Sequence, residues 1–210
     1  MKKTIVHFIR HGQTSYNLEK KIQGSVNIEL SDIGKKQAES MSSDSFLPSY
    51  DMAYHSSLSR SKKTLEIILD KNNLKLETKL SDLLIERSYG IFEGLHDDTI
   101  KERYPETFHK WKEDENTDIE GSEKIENVVN RILKFIKLVV DNEYNQIMAV
   151  THSGVLFSLY KFVKGSNLGI RPKEIYFPNC CSVYLDIYHI DKEIKKLINY
   201  DWSAARTFKS

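Results

Sequence analysis

Thr4-Ile5-Val6-His7-Phe8-Ile9 is a β-branched and aromatic run that reads as a buried strand. It halts at the polar triplet Arg10-His11-Gly12. Ser31 is a candidate N-cap for a helix carrying Ile33, Gln37, Ala38 and Met41. Met52-Ala53-Tyr54 reads as a short strand, and a helix follows from about Ser57 to Asp70 with Leu58, Leu65, Ile68 and Leu69 on one side. Leu74 to Thr78 alternates like a half-buried strand. The clearest helix comes later: Ile125, Val128, Val129, Ile132, Leu133, Ile136, Val139 and Val140 keep the i, i+3, i+4, i+7 rule. Ile147-Met148-Ala149-Val150 is a second buried strand, ending at Thr151-His152-Ser153-Gly154, and a helical run from Val155 to Val163 leads away from it. Val183, Leu185 and Ile187 alternate in a later strand, and Ile194 to Tyr200 is a candidate edge strand.

Strands thus alternate with helices, which predicts an α/β fold. The expected architecture is a three-layer α/β/α sandwich, with a mostly parallel central sheet covered by helices on both faces. One domain is expected over residues 1–210. Residues 88–120, with Gly90, Gly94, Pro105 and many charges and aromatics, read as an inserted cap of short helices. In such sheets ligands bind beyond the carboxyl ends of the strands. Two strands end in the same chemical style, one at Arg10-His11-Gly12 and one at His152-Ser153-Gly154. If they lie side by side, both histidines reach one crevice.

Composition narrows the partners. Hydrophobic residues make up 40% of the chain, enough for a core. Lys+Arg is 31 against Asp+Glu 30, a net charge of +1, which argues against a broad basic face for nucleic acid. No apolar run approaches transmembrane length, and the N-terminus lacks the apolar stretch of a signal peptide. The expected compartment is the cytoplasm, with no membrane partner. Cys180 and Cys181 are adjacent and read as reduced thiols on a strand. No metal-ligand spacing such as C-x-x-C occurs, so neither metal nor cofactor is expected.

A lone histidine after a strand is more often structural than catalytic. The surroundings of His11 shift that balance. Arg10 precedes it, Gly12 lets backbone N–H groups approach an anion, and Thr14 and Asn17 follow as donors. Arg60 lies early in a predicted helix. Two guanidiniums, two imidazoles, and amide and hydroxyl donors suit a tetrahedral dianion.

The stretch from Phe8 to Asn17, Phe-Ile-Arg-His-Gly-Gln-Thr-Ser-Tyr-Asn, resembles the opening signature of the histidine phosphatases, the phosphoglycerate mutase-like class. Gly24 to Gln37 resembles the segment that follows it. Tyr54 to Thr64 resembles the segment with the second arginine, with Ser57 where proline is common. Glu86-Arg87-Ser88-Tyr89-Gly90, with Glu93-Gly94, resembles the segment with the acid. Val150-Thr151-His152-Ser153-Gly154 resembles the second-histidine segment, with Ser153 where glycine is usual. Asn179 to Val183 resembles a late strand of the family. The matches run in family order from residue 4 to about 188.

The resemblance implies that His11 is the nucleophile and forms a phosphohistidine. Arg10, Arg60, Asn17 and His152 would hold the phosphoryl oxygens, and the arginines would keep His11 neutral. Glu86 would protonate the leaving oxygen and then take a proton from water; its bland reading is an exposed carboxylate paired with Arg87. Gln23, the Gly24 backbone and Ser153 are further candidates for substrate binding. Glu123 sits where many members carry an acidic pocket residue, although Gly121-Ser122-Glu123 departs from the usual Gly-Glu-Ser, and it can equally be a helix-start acid. Arg131, off the apolar stripe, reads as a solvated charge.

The family both hydrolyses phosphate esters and moves phosphoryl groups within glycerate phosphates. Asp97 stands where the mutase pattern suggests lysine, and Trp111 to Glu115 lacks the mutases' paired arginines. A metal-independent phosphatase acting on a small phosphomonoester is therefore favoured over a phosphoglycerate mutase. Arg87, Tyr89, His96, Lys110 and Lys112 are candidate substrate contacts. A non-catalytic binding module on the same fold conflicts with the filled catalytic positions. A nucleotide-binding protein conflicts with the lack of a G-x-G-x-x-G or P-loop lysine after a strand. The expected partner is a small phosphorylated metabolite. Sugar phosphates, phosphoglycerates, nucleotide-like phosphates and a cobamide precursor stay open, as does oligomeric state, a homodimer included.

Overall fold

The fold is taken from a computed structural model that describes residues 2–41, 46, 48–165, 167, 169–170, 175–188, 197–201 and 206–207, with backbone only beyond residue 188. Strands β1 (Lys3–Arg10), β2 (Met52–His55), β3 (Thr78–Leu80), β4 (Gln146–Thr151), β6 (Ser182–Tyr188) and β7 (Leu197–Asp201) form one sheet in the order β3-β2-β4-β1-β6-β7. The first four are mutually parallel; β6 runs antiparallel to β1, and β7 antiparallel to β6. The short strands β5 (Ile175–Tyr176) and β8 (Arg206–Thr207) pair separately. Among the described residues no helix is long and apolar enough to cross a membrane.

The central strands read as continuous apolar runs because both faces are buried. Val6 and Phe8 of β1, Met52 and Tyr54 of β2, and Ile147 and Ala149 of β4 face one cluster. That cluster takes in α6 (Ile125–Asp141) and α7 (Ser153–Lys164). The alternate positions Ile9, Ala53, Met148 and Val150 face a second cluster. It is closed by Ala38 of α2 (Asp32–Glu39) and by Leu65 and Ile68 of α3 (Ser59–Lys71). Phe135 joins the α6 stripe at 0% exposure, a position the sequence reading left out.

Between β3 and α6 the chain forms α4 (Asp97–Arg103) and α5 (Pro105–Glu113), after the four-residue α1 (Ser15–Leu18) near the N-terminus. Phe92, Ile100, Trp111 and Ile119 make a separate small cluster there. Several expected boundaries move. The strand expected over Leu74–Thr78 begins only at Thr78: Leu74 and Leu76 do turn inward onto the core, but ladder pairing with β2 starts at Ala53↔Thr78. The helix expected from Ser57 begins at Ser59, with Leu58 in extended conformation at the N-cap. Ile33 is exposed, because Gly34 and Ala38 form the buried side of α2. The expected edge strand is β7, whose predicted first residues, 194–196, lie outside the described residues.

Helix α2 matters for the site because it is pressed against the turn after β1. Ser31 caps it, its Oγ accepting from Gly34 N at 3.0 Å, while Ser31 N donates to Gln13 O at 2.9 Å. A Cβ on Gly34 would sit 2.0 Å from Gln13 O, and one on Gly12 would sit 2.4 Å from Gly34 O. The two glycines thus allow backbone-to-backbone contact. Gly34→Ala should destabilise the fold by about 1–3 kcal/mol, the usual cost of forced overpacking. Urea unfolding measures this; an unchanged midpoint would show that α2 can move off Gln13 freely.

Candidate active site

The parallel pairing of β1 with β4 reaches Arg10↔Thr151, so the two strands end side by side. His11 N then donates to Thr151 O at 3.0 Å, and the His11 and His152 rings lie with centroids 5.0 Å apart. Both rings are almost wholly buried. His11 Nδ1 is 2.7 Å from Gly12 O, which can only accept, so the ring proton is on Nδ1. Nε2 keeps its lone pair and has no partner among the described residues. His152 is held from its other side: Nε2 meets Ser56 Oγ at 2.7 Å, and Nδ1 is buried without a partner among the described residues.

Arg10 and Arg60 complete the cationic wall. Arg10 Nη1 donates to Phe177 O. Arg60, at 0% exposure in the first turn of α3, donates from Nη1 to Val26 O at 2.6 Å and from Nη2 to Gly24 O at 2.8 Å. The Nε of each arginine is buried and unmatched among the described residues. Burial, then Arg60, then Arg10, hold His11 well below the ordinary histidine value, against a smaller opposing pull from Gly12 O. His152 is lowered in the same way, by burial first and then by Arg60 and His11. Both rings are therefore neutral. Burial brings the Arg60 guanidinium down to about 10, with Glu86 opposing that fall and Arg10 adding to it.

Glu86 follows a 3-10 turn (Asp82–Leu84) and is buried. It is not paired with the Arg87 side chain, as its bland reading had it. Instead its Oε1 accepts from Arg87 N at 2.8 Å and its Oε2 from Gly154 N, in the first turn of α7, at 3.1 Å. A Cβ on Gly154 would lie 2.5 Å from Glu86 Oε1, so the carboxyl needs a glycine there. Ser153 is half-buried at the start of the same helix.

The amide donors are arranged by their neighbours. Asn17 Oδ1 accepts from Thr14 N and from Asn179 Nδ2, both at 3.2 Å, so its own NH2 is turned elsewhere. Gln23 Oε1 accepts from Thr14 Oγ1 at 2.9 Å, with the same consequence. Gly24, at φ +51°, contributes its carbonyl to Arg60. Asn179 also donates to His11 O at 2.9 Å, and Thr64 Oγ1 accepts from Gly12 N at 3.0 Å. Ser56, Thr64 and Asn179 were not singled out from the sequence. Each lies in a segment that resembles the family, but nothing in residue type or spacing marks it apart from its neighbours.

Other expected positions have different surroundings. Arg131 is no solvated charge: its Nε and Nη2 grip Glu123 at 2.9 and 3.0 Å, and Nη1 donates to Leu83 O at 2.9 Å. Glu123 is thereby the carboxylate of a fork-shaped pair. Arg87 is 2% exposed and donates to Glu123 O at 2.8 Å and Glu115 O at 2.6 Å. Tyr89 is half-buried with the Arg87 guanidinium 5.1 Å from its ring centroid. Lys112 pairs with Asp97 at 2.6 Å, while His96 and Lys110 are exposed. Burial pushes the Cys180 thiol up to about 12 and the Cys181 thiol up to about 11, so both stay protonated. Among the described residues no three His, Cys, Asp or Glu side chains cluster to hold a metal ion.

Comparison with known proteins agrees with this geometry. The profile of the histidine phosphatase superfamily (branch 1) matches residues 6–200. Phosphoserine phosphatase 1 of Hydrogenobacter thermophilus is 28% identical over 187 residues, covering 88% of this chain and 85% of that protein. A 2,3-bisphosphoglycerate-dependent phosphoglycerate mutase of Buchnera aphidicola is 30% identical, covering 78% of this chain and 85% of its own. Among solved structures, a mycobacterial glucosyl-3-phosphoglycerate phosphatase superposes with a TM-score of 0.81 at 21% identity, covering 95% of this chain and 97% of that one. With its two strand-end histidines and a profile match that spans residues 6–200, this chain belongs to the histidine phosphatase superfamily.

Proposed function

We propose that this protein hydrolyses a small phosphomonoester through a phosphohistidine on His11, without a metal ion. One observation carries the reading. The buried Nε atoms of Arg10 and Arg60 and the Nδ1 of His152 lack partners among the described residues, and both arginines lower His11 and His152 alike. Buried polar groups are rarely left unmatched. An anion bound beside the neutral His11 ring would give these three atoms partners.

In this reading the His11 Nε2 lone pair attacks phosphorus while the ring proton stays on Nδ1, donated to Gly12 O. The ester P–O bond breaks, and Glu86 gives its proton to the leaving oxygen. The arginines, Asn17 and His152 hold the non-bridging oxygens as charge moves. Glu86 next takes a proton from water, the hydroxide oxygen bonds to phosphorus, and the P–N bond breaks. Gln23, Gly24 and Ser153 are further substrate-binding candidates in this reading, Gln23 through its contact with Thr14 and Gly24 through its carbonyl on Arg60.

Hydrolysis is favoured over mutase action by how the nearby cations are used. A mutase must hold a second acidic group while the phosphoryl group returns. Here Arg87 is spent on two carbonyls and Lys112 on Asp97, and Lys161, 1% exposed, is 2.5 Å from Glu115. The expected partner is a small phosphorylated metabolite. Phosphoserine phosphatase activity in a relative makes phosphoserine one compound for a metabolite screen.

Hydrolysis of p-nitrophenyl phosphate should survive EDTA and fall by at least about a thousandfold in His11→Ala, since loss of a nucleophile removes the covalent route. Full activity in that variant refutes the assignment. Glu86→Gln should slow poor leaving groups far more than p-nitrophenolate, because only the former need the proton; equal losses across a leaving-group series would exclude the acid role. A coupled enolase assay separates the alternatives: rapid interconversion of phosphoglycerates with slow phosphate release would make the protein a mutase.

A further inference from the structure

Ser56 directly follows β2 and is wholly buried. Its backbone is pinned: Ser56 N donates to Ser61 Oγ at 3.0 Å, and Ser61 Oγ donates to Val150 O at 2.7 Å. Its hydroxyl has two neighbours. Leu58 N donates to Oγ at 3.3 Å, and His152 Nε2 lies 2.7 Å away. A hydroxyl carries one proton and two lone pairs. The amide of Leu58 uses one lone pair, and among the described residues the hydroxyl proton has no acceptor but His152 Nε2, so the arrangement that pairs that proton has Ser56 donating to His152.

The imidazole restricts the choice further. His152 is neutral and so carries one ring proton, on Nε2 or on Nδ1. With Nε2 against Ser56, Nδ1 is the ring nitrogen left to meet an anion held at His11. A proton on Nε2 would make Nδ1 a bare lone pair, which repels a phosphoryl oxygen. A proton on Nδ1 makes it a donor. We propose that Ser56 is a positioning residue that fixes His152 as its Nδ1–H tautomer by donating its hydroxyl proton to Nε2, so that Nδ1–H is available to the phosphoryl group. This rests on the phosphoryl-transfer reading of the site. It adds to that reading a residue that acts only through His152.

The test is nitrogen NMR of the full-length protein with 15N-labelled histidine at pH 7.5, with and without orthovanadate. His152 Nε2 should resonate as an unprotonated acceptor and Nδ1 as a protonated nitrogen. In Ser56→Ala the two should exchange or average. Orthovanadate affinity and kcat/KM should then fall together by about tenfold or more, the size of a lost hydrogen bond to a charged group. A proton on Nε2 in the unsubstituted protein would overturn the proposal even if the alanine variant does not fold. So would a Ser56→Ala protein with unchanged ring signals and unchanged orthovanadate affinity. Nδ1–H at His152 in a protein that turns over no phosphomonoester would support this assignment and count against the function proposed above.

Discussion

The ladder between β1 and β4 decides where the chemistry can occur. It runs in parallel register from Ile5↔Gln146 to Arg10↔Thr151, which sends both chain exits out of the same edge of the sheet. A shift of one residue would turn Phe8 and Ile9 to the opposite faces and empty both core clusters. Hydrophobic burial therefore enforces the register, and the register places the histidines. The antiparallel partner β6 closes the other side: Arg10 N donates to Cys181 O at 3.1 Å and Cys180 N to Arg10 O at 3.0 Å. The turn that carries Asn179 is thus fastened to the strand end that carries His11.

This placement creates an electrostatic problem that the site solves locally. Two guanidiniums are buried beside two imidazoles, and both rings respond by staying neutral. Backbone carbonyls, from Phe177, Val26 and Gly24, receive part of each guanidinium fork. Nitrogen atoms that find no carbonyl remain as unmet donors, each costing about 1–3 kcal/mol of stability when buried. In the proposed function an incoming dianion would recover that cost. The donors are already oriented when it arrives, so little reorganisation accompanies charge movement in the reaction proposed here.

Residues 4–9, the α6 stripe and the paired strand ends were legible because local pattern and tertiary role coincide there. Each strand is buried on both faces, and α6 presents one unbroken apolar side. The Leu74–Leu76 alternation misled for a physical reason: both side chains do pack inward, but the ladder with β2 begins only at Ala53↔Thr78, beyond them. Arg131 was misread because its position off the apolar stripe says nothing of Glu123, which folds back to meet it from before the helix. The candidate site was legible as a set of residues, through segments matching the family in order. Its supporting contacts were not. Ser56 meets His152 across 96 positions and Asn179 meets His11 across 168, and no periodicity encodes such a bond.

The two sides of the site rest on different supports. The side that holds phosphate in the proposed mechanism is built from strand ends and the first turn of α3, all tied to the central sheet. The leaving-group side, in the proposed mechanism, is the Glu86 side. It depends on how the chain from Arg87 to Glu115 meets α7. Two contacts fasten that meeting: Glu86 on Gly154 N, and the buried Lys161–Glu115 pair two turns further along the helix. Arg87 bridges them through Glu115 O. Removing one partner of a buried ion pair strands the other charge, so this junction resists small changes. The acid thus inherits its position from a helix anchored in the core. Residues exposed on the intervening segment, such as His96 and Lys110, are free to vary without moving it. A fold built this way can change which alcohol leaves while keeping one way of holding phosphate.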